Sequence, residues 1–258
     1  MLKPLSEEEK LVLVAPRELI VLAGENQNWD EVTIVKRGER RAISLDIRVQ
    51  ARARGQMIRI FEVAAGAHLN ILHTVSLEAE ARWQNVICIR GRGEVRIRRS
   101  VTILGAGAET HLACLGVMEQ AARISVADEI YSHAPKTVHR LQTKLVLCDS
   151  ARAEVRGRVV VTAQATQSIT RERLDHLLLG EQATAVVIPE LEVDTDEVVC
   201  SHGATISRPS VDELFYLASR GLSIPAAERL LAQGFIAEAL TDLPDQAAHE
   251  SLKMLCSY

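Results

Sequence analysis

The chain has 258 residues, of which 47% are hydrophobic and only 3% aromatic, and its net charge is −4. A chain of this length buries roughly 70–75% of its extended surface, so neither disulfides nor a structural metal is required for stability. The small negative charge calls for no polyanionic partner, and an apolar content carried by Val, Ile, Leu and Ala suits a narrow, repetitive interior better than a core of large rings.

Cys88, Cys114, Cys148, Cys200 and Cys256 form an odd set without CxxC spacing, which is not a disulfide framework. The N-terminus lacks a basic region followed by an apolar core, so no signal peptide is expected. No apolar run approaches the about 18 residues that span a bilayer. A reduced, cytoplasmic protein with no membrane partner is expected. Arginine is dense between Lys36 and Arg99, but it alternates with apolar residues and has no interleaved aromatics. These arginines are read as the solvent face of strands, not as a nucleic-acid surface.

In chain order, Ser6 and Glu9 form a capping box that predicts a short helix. Leu11–Val14 and Leu19–Leu22 read as short strands separated by Pro16. From Glu31 to about Ala165 the apolar residues recur at every second position, as in Ile43-Ser44-Leu45-Asp46-Ile47 and Val155-Arg156-Gly157-Arg158-Val159. Such alternation puts one strand face in a core and the other in water. Asn-Gly and Asp-Gly hairpin signals are missing, and the turn signals are mostly single glycines inside long β patterns. A parallel β-solenoid is favoured; a β-sandwich remains the alternative.

Leu191-Glu192-Val193 predicts one more strand, followed by the acidic loop Asp194–Glu197. Ser210 and Glu213 cap a helix that stops at Gly221. Ser223 caps the next, with Pro225 in its first turn, an apolar face of Ala227, Leu230, Leu231 and Phe235, and an end at Pro244. Leu252 and Leu255 suit a last amphipathic helix. The predicted organisation is an N-terminal segment over 1–30, a β core over 31–205 and a helical subdomain over 206–258.

The sequence lacks a P-loop, a GxGxxG turn, a GxSxG elbow and an HExxH helix; His249-Glu250 is only half of the last. One cluster stands out. Cys200 and His202, two residues apart on an extended strand, point to the same side and offer a soft thiolate and an imidazole to one metal ion. A buried structural cysteine beside a surface histidine is the simpler alternative.

The run Cys200-Ser201-His202-Gly203-Ala204-Thr205, then Asp212-Glu213-Leu214-Phe215-Tyr216-Leu217, Ser219-Arg220-Gly221-Leu222 and Gly234-Phe235, with Pro189-Glu190-Leu191-Glu192 upstream, resembles the C-terminal signature of the SufB/SufD family of the SUF iron–sulfur cluster assembly machinery. The close match covers roughly the last 85 residues, and its CSHGAT form is closer to SufD. The resemblance implies a mainly β protein, a right-handed parallel β-helix with a small C-terminal helical subdomain. It also implies a non-enzymatic scaffold that binds a SufC-like ABC ATPase and pairs as a homodimer or with a SufB/SufD-type paralogue. Iron or a transient iron–sulfur cluster would sit near the shared interface, with His202 and Cys200 as ligands. Phe215, Tyr216, Arg220, Phe235 and Glu238 would contact the ATPase. The chain is shorter than typical members, and Thr102 stands where SufB-type scaffolds carry a cysteine. The competing readings are a metal-independent ATPase-binding module and a metal-dependent enzyme using Cys200, His202 and Asp196.

Overall fold

The alternating pattern is realised as fourteen strands in a computed structural model that describes residues 17–240 and 251–255. The first seven are β1 (Arg17–Val21), β2 (Asn26–Val35), β3 (Arg40–Val49), β4 (Arg54–Val63), β5 (His68–Leu77), β6 (Arg82–Gly91) and β7 (Glu94–Ile103). There follow β8 (Glu109–Met118), β9 (Arg123–Ser132), β10 (Val138–Leu147), β11 (Arg152–Val161), β12 (Ser168–Leu178), β13 (Thr184–Val193) and β14 (Val198–Ser207). Odd-numbered strands stack in one sheet and even-numbered strands in the other, each strand pairing in parallel with the equivalent strand of the next coil. This is a parallel β-solenoid, and the sandwich alternative is set aside. β1 and the start of β2 lie within residues 1–30, so the first coil begins inside the segment that the sequence pattern sets apart. The expected helix at Ser6 and strand at Leu11–Val14 lie outside the described residues, as does the helix end at Pro244.

Equivalent positions recur about once per 28 residues: Gln56 Nε2 donates to Gln84 Oε1 at 2.7 Å across a separation of 28. The corners between strands are built around left-handed residues, some of them Gly (Gly38, Gly66) but others Arg52, Glu80, Gln120, Lys136, Asp149 and Gln167. Small buried alanines (Ala53, Ala67, Ala81) close the successive turns. At Gly105 the chain passes so near the Ala79 backbone that no Cβ fits.

The inward faces of the two sheets share an aliphatic bore. The outward face of the even sheet is also apolar, with Ile58, Ile60, Val86, Cys88, Leu115, Val117 and Val146, and it needs a cover. The C-terminal helices supply it. Helix α1 (Val211–Ser219) starts at the predicted capping box, Ser210 with Glu213. Helix α2 (Ile224–Leu240) buries Ala227 and lays Ala232, Ile236, Ala239 and Leu240 on the sheet, joined by Leu255. The buried stripe therefore differs from the expected one. Ala227 belongs to it, but Leu230 is 47% exposed and Phe235 only half-buried. The helix is apolar around most of its circumference, so periodicity alone did not select a face. No helix among the described residues is long and apolar enough to cross a membrane.

A buried cation fastens α2. Lys144, on the outward face of β10, donates to Phe235 O at 3.1 Å and to Glu238 Oε2 at 2.5 Å, and lies 4.4 Å from the Phe235 ring centroid. Glu238→Ala would leave this ammonium without its carboxylate. We expect α2 docking to weaken by about 1.5–3 kcal/mol, the usual worth of a hydrogen bond to a charged group. Faster amide exchange in α2, with the β strands unchanged, checks it.

The arginines mostly follow expectation. Arg48 meets Glu18, Arg52 meets Glu80 and Arg82 meets Glu109, all on the outside between neighbouring coils. Arg99 does not. It points into the bore, is 0% exposed, and is held by Asp128, Asn85 and Ala113 O.

Candidate functional site

Among the described residues the coil repeat ends at β14, which pairs on one side only, with β12. The register places Cys200 opposite Thr170, His202 opposite Glu172 and Ala204 opposite Leu174. Leu174 is fully buried in the bore, so the alternation carries Cys200, His202 and Ala204 on the inward side as well. Both predicted ligands thus share one face of one strand. Among the described residues no further coil covers them, so His202 is exposed and Cys200 half-buried. The site is the open end of the solenoid.

Beneath Cys200 runs a buried chain of hydroxyls and an imidazole. Thr170 stands opposite Cys200 in the β12–β14 register. Thr170 Oγ1 also lies 3.0 Å from His139 Nδ1, and His139 Nε2 lies 2.8 Å from Thr137 Oγ1. Burial lowers His139 to about 4, so its ring is neutral at physiological pH. Burial raises the Cys200 thiol and the neighbouring Thr170 hydroxyl opposes that rise. The other described cysteines are less available. Burial pushes Cys88 up to about 11 and Cys114 and Cys148 up to about 12, which keeps them as thiols.

Beneath His202 lies Glu172, a residue the sequence reading overlooked. It is 1% exposed, and neither carboxylate oxygen has a partner. Its side chain crosses the bore to the odd sheet, where it abuts Gly157; a Cβ there would collide with Oε1. Burial first, then the carboxylates of Asp128 and Glu190, raise Glu172 to about 7. The missed signal was parity, for Glu172 occupies the inward position that Leu141 fills one coil below.

Among the described residues no three His, Cys, Asp or Glu side chains converge as a closed metal site. Cys200 and His202 place two candidate donors, a thiol and an imidazole, on one face of β14. Asp196, the carboxylate of the enzyme alternative, is exposed on the loop before β14. Thr102 alternates with the inward Val101 and Ile103 and therefore faces outward, away from the bore.

The residues expected to meet a partner fall into two groups. Phe215 (73% exposed) and Tyr216 (57%) lie on α1, which buries none of its residues, and the Arg220 guanidinium sits 5.2 Å from the Tyr216 ring centroid. With the exposed Val211 they make an apolar surface that folding leaves uncovered. Phe235 and Glu238 instead engage Lys144, although Glu238 keeps much of its surface in water.

Residues 6–235 match the family described as the SufBD core domain of SUF-system FeS cluster assembly. The chain is 41% identical over 102 residues to an iron–sulfur cluster assembly SufBD family protein of Synechocystis, covering 39% of this chain and 22% of that protein. It is 28% identical over 193 residues to the chloroplastic protein ABCI7 of Arabidopsis thaliana, covering 74% and 40% of the two chains. With the iron–sulfur cluster assembly protein SufD of Escherichia coli it shares 32% identity over 109 residues, 42% of this chain and 26% of that protein. The chain spans less than half the length of each of these relatives.

Proposed function

The chain belongs to the SufBD family of SUF-system iron–sulfur cluster assembly, and on that premise we propose that it is a non-enzymatic scaffold or accessory subunit that docks a SufC-like ABC ATPase through α1. The observation that carries the reading is α1 itself. It is a capped helix that buries no residue, yet holds Phe215 and Tyr216 in water beside Arg220. Aromatic and arginine side chains of this kind are the usual anchors of an interface. Phe235 and Glu238, which hold α2 on the even sheet through Lys144, are the further contacts of this reading. ATP hydrolysis belongs to the partner.

The second half of the reading concerns β14. Its free edge offers unpaired backbone N–H and C=O groups, and Val199 and Ile206 are exposed on the strand. A second copy of the chain, or a SufB/SufD-type paralogue, pairs there and completes the ligand set. His202, with Cys200 as a secondary ligand, then holds iron or a nascent cluster as cargo. Neutral imidazole and thiolate both suit ferrous iron. The free thiols among the described residues agree with a reducing cytoplasmic compartment.

The test is the complex purified anaerobically with its ATPase, assayed for iron and sulfide. His202→Ala is expected to leave folding and ATPase binding intact, because the side chain is exposed, while iron retention falls about tenfold or more. A His202→Ala complex that keeps wild-type iron and sulfide would make the chain a metal-independent docking module.

A further inference from the structure

The outward face of the even sheet changes character along its strands. In β4, β6 and β8 the first and third positions are polar: Arg54 and Gln56, Arg82 and Gln84, Glu109 and His111. The fifth and seventh positions of the same strands are apolar and pack under the C-terminal helices. The polar half forms a groove of about 480 Å³, which Asn28 and Arg140 extend onto the coils to either side. Sites for small molecules fall between about 300 and 1,000 Å³.

Charge in this groove departs from the rest of the surface. Elsewhere an outward arginine meets a glutamate of the neighbouring coil, as Arg48 meets Glu18 and Arg52 meets Glu80. Here Arg54 and Arg82 are direct neighbours in the β4–β6 register, and like charges set opposite each other destabilise a sheet. Glu109, the one acid among the described lining residues, is engaged by Arg82 at 3.0 Å. Arg54 is exposed and forms no ion pair among the described residues. With Arg140, three guanidiniums face one carboxylate, and the groove is cationic. Between them Gln56 Nε2 donates to Gln84 Oε1 at 2.7 Å, so the Gln84 amide keeps its own N–H donors for a ligand. The floor is rigid. Trp83 is 1% exposed, its ring centroid is 6.2 Å from that of Trp29, and a Cβ on Gly55 would fall 2.6 Å from its ring.

We propose that this groove binds a small multivalent oxyanion, a ligand carrying phosphoryl or carboxylate groups, gripped by Arg54 and Arg82. Neighbouring strands lie about 4.8 Å apart, so the two guanidinium forks can share one oxyanion group. Gln84 donates to the same group, and Arg140 adds positive charge further along the groove. A bound oxyanion offsets the repulsion between the paired arginines. Neither α1 nor the open end of the solenoid takes part, so the inference stands apart from the function proposed above.

The test is titration calorimetry of the full chain with inorganic pyrophosphate and with citrate at fixed ionic strength. The fluorescence of Trp29 and Trp83, the chain's two tryptophans, is the second readout. Saturable binding is expected. Binding of pyrophosphate alone marks a phosphoryl ligand, binding of citrate alone a polycarboxylate, and binding of both a site for either group. Arg54→Gln should keep the melting temperature and weaken binding about tenfold or more, the loss of a charge-assisted hydrogen bond. Arg82→Gln is the second variant should the first fail to fold, with the same expected loss. Arg98→Gln removes an exposed arginine from the odd sheet and should bind as wild type. An equal loss in Arg98→Gln would reduce the effect to net charge and overturn the site. Wild-type affinity in a folded Arg54→Gln or Arg82→Gln chain overturns it too, as does a wild-type chain that binds neither probe.

Discussion

Arg99→Met should destabilise the protein by about 3–5 kcal/mol, the range for removing one member of a buried ion pair. Arg99 is completely buried, and its Nε and Nη2 donate to the two carboxylate oxygens of Asp128, each at 2.7 Å. Nη1 reaches the opposite sheet, donating to Ala113 O at 3.0 Å and to Asn85 Oδ1 at 3.1 Å. One side chain thus ties the two sheets together across the bore. Methionine replaces the aliphatic stem but strands a buried aspartate in an aliphatic interior. The double variant Arg99→Met/Asp128→Leu should recover most of the loss, since an apolar replacement of a whole buried pair is often neutral or stabilising. Urea unfolding midpoints of the two variants decide the matter. A single variant as stable as wild type would mean that Asp128 finds other compensation. The pair also bears on the site, because it forms a rigid floor below Gly157 and Glu172.

The same residues explain what could be read in advance. Long alternation in Val95-Arg96-Ile97-Arg98 gave strands, and the scarcity of tight hairpin signals gave a solenoid instead of a sandwich. The parity of the pattern contained more than was taken from it. Arg99 falls in step with Val95, Ile97, Val101 and Ile103, and Asp128 with Ile124, Val126 and Ile130, so both were marked as inward by position. Glu172 carries the same mark beside Leu174. Ala53, Ala67 and Ala81 recur every fourteen residues and state the half-coil repeat, a period shorter than the usual search for repeats. Other features had no local signal. Left-handed corners at Arg52, Glu80 and Lys136 use residues that do not announce a turn, because the stacked coils impose the conformation. The face of α2 is set by the apolar outer surface of the even sheet and by Lys144, both distant in sequence. Cys200 and His202 were readable as a pair on one strand face, but that the strand ends the stack is a property of the whole fold.

Truncating Phe215 and Tyr216 together to alanine should weaken binding of the SufC-like ATPase about 100-fold or more while leaving the fold untouched. The two halves of this expectation have separate grounds. Both rings stand mostly in water on a helix with no buried residue, so their removal changes little of the intramolecular packing. Exposed substitutions of this kind stay within about 0.5 kcal/mol of wild type. The binding loss follows from how interfaces distribute their energy, in which a few aromatic and arginine anchors each contribute about 2 kcal/mol or more. Arg220, stacked by Tyr216, would lose its support along with the ring. Phe235→Ala is the contrasting variant. Its half-buried ring packs on the covered face of the even sheet and over Lys144, so it should lower stability as well. Titration calorimetry against the ATPase, paired with melting curves, separates an anchor from a packing residue. If the Phe215→Ala/Tyr216→Ala chain binds the ATPase within about twofold of wild type, α1 is not the docking element and its exposed aromatic surface must serve another contact.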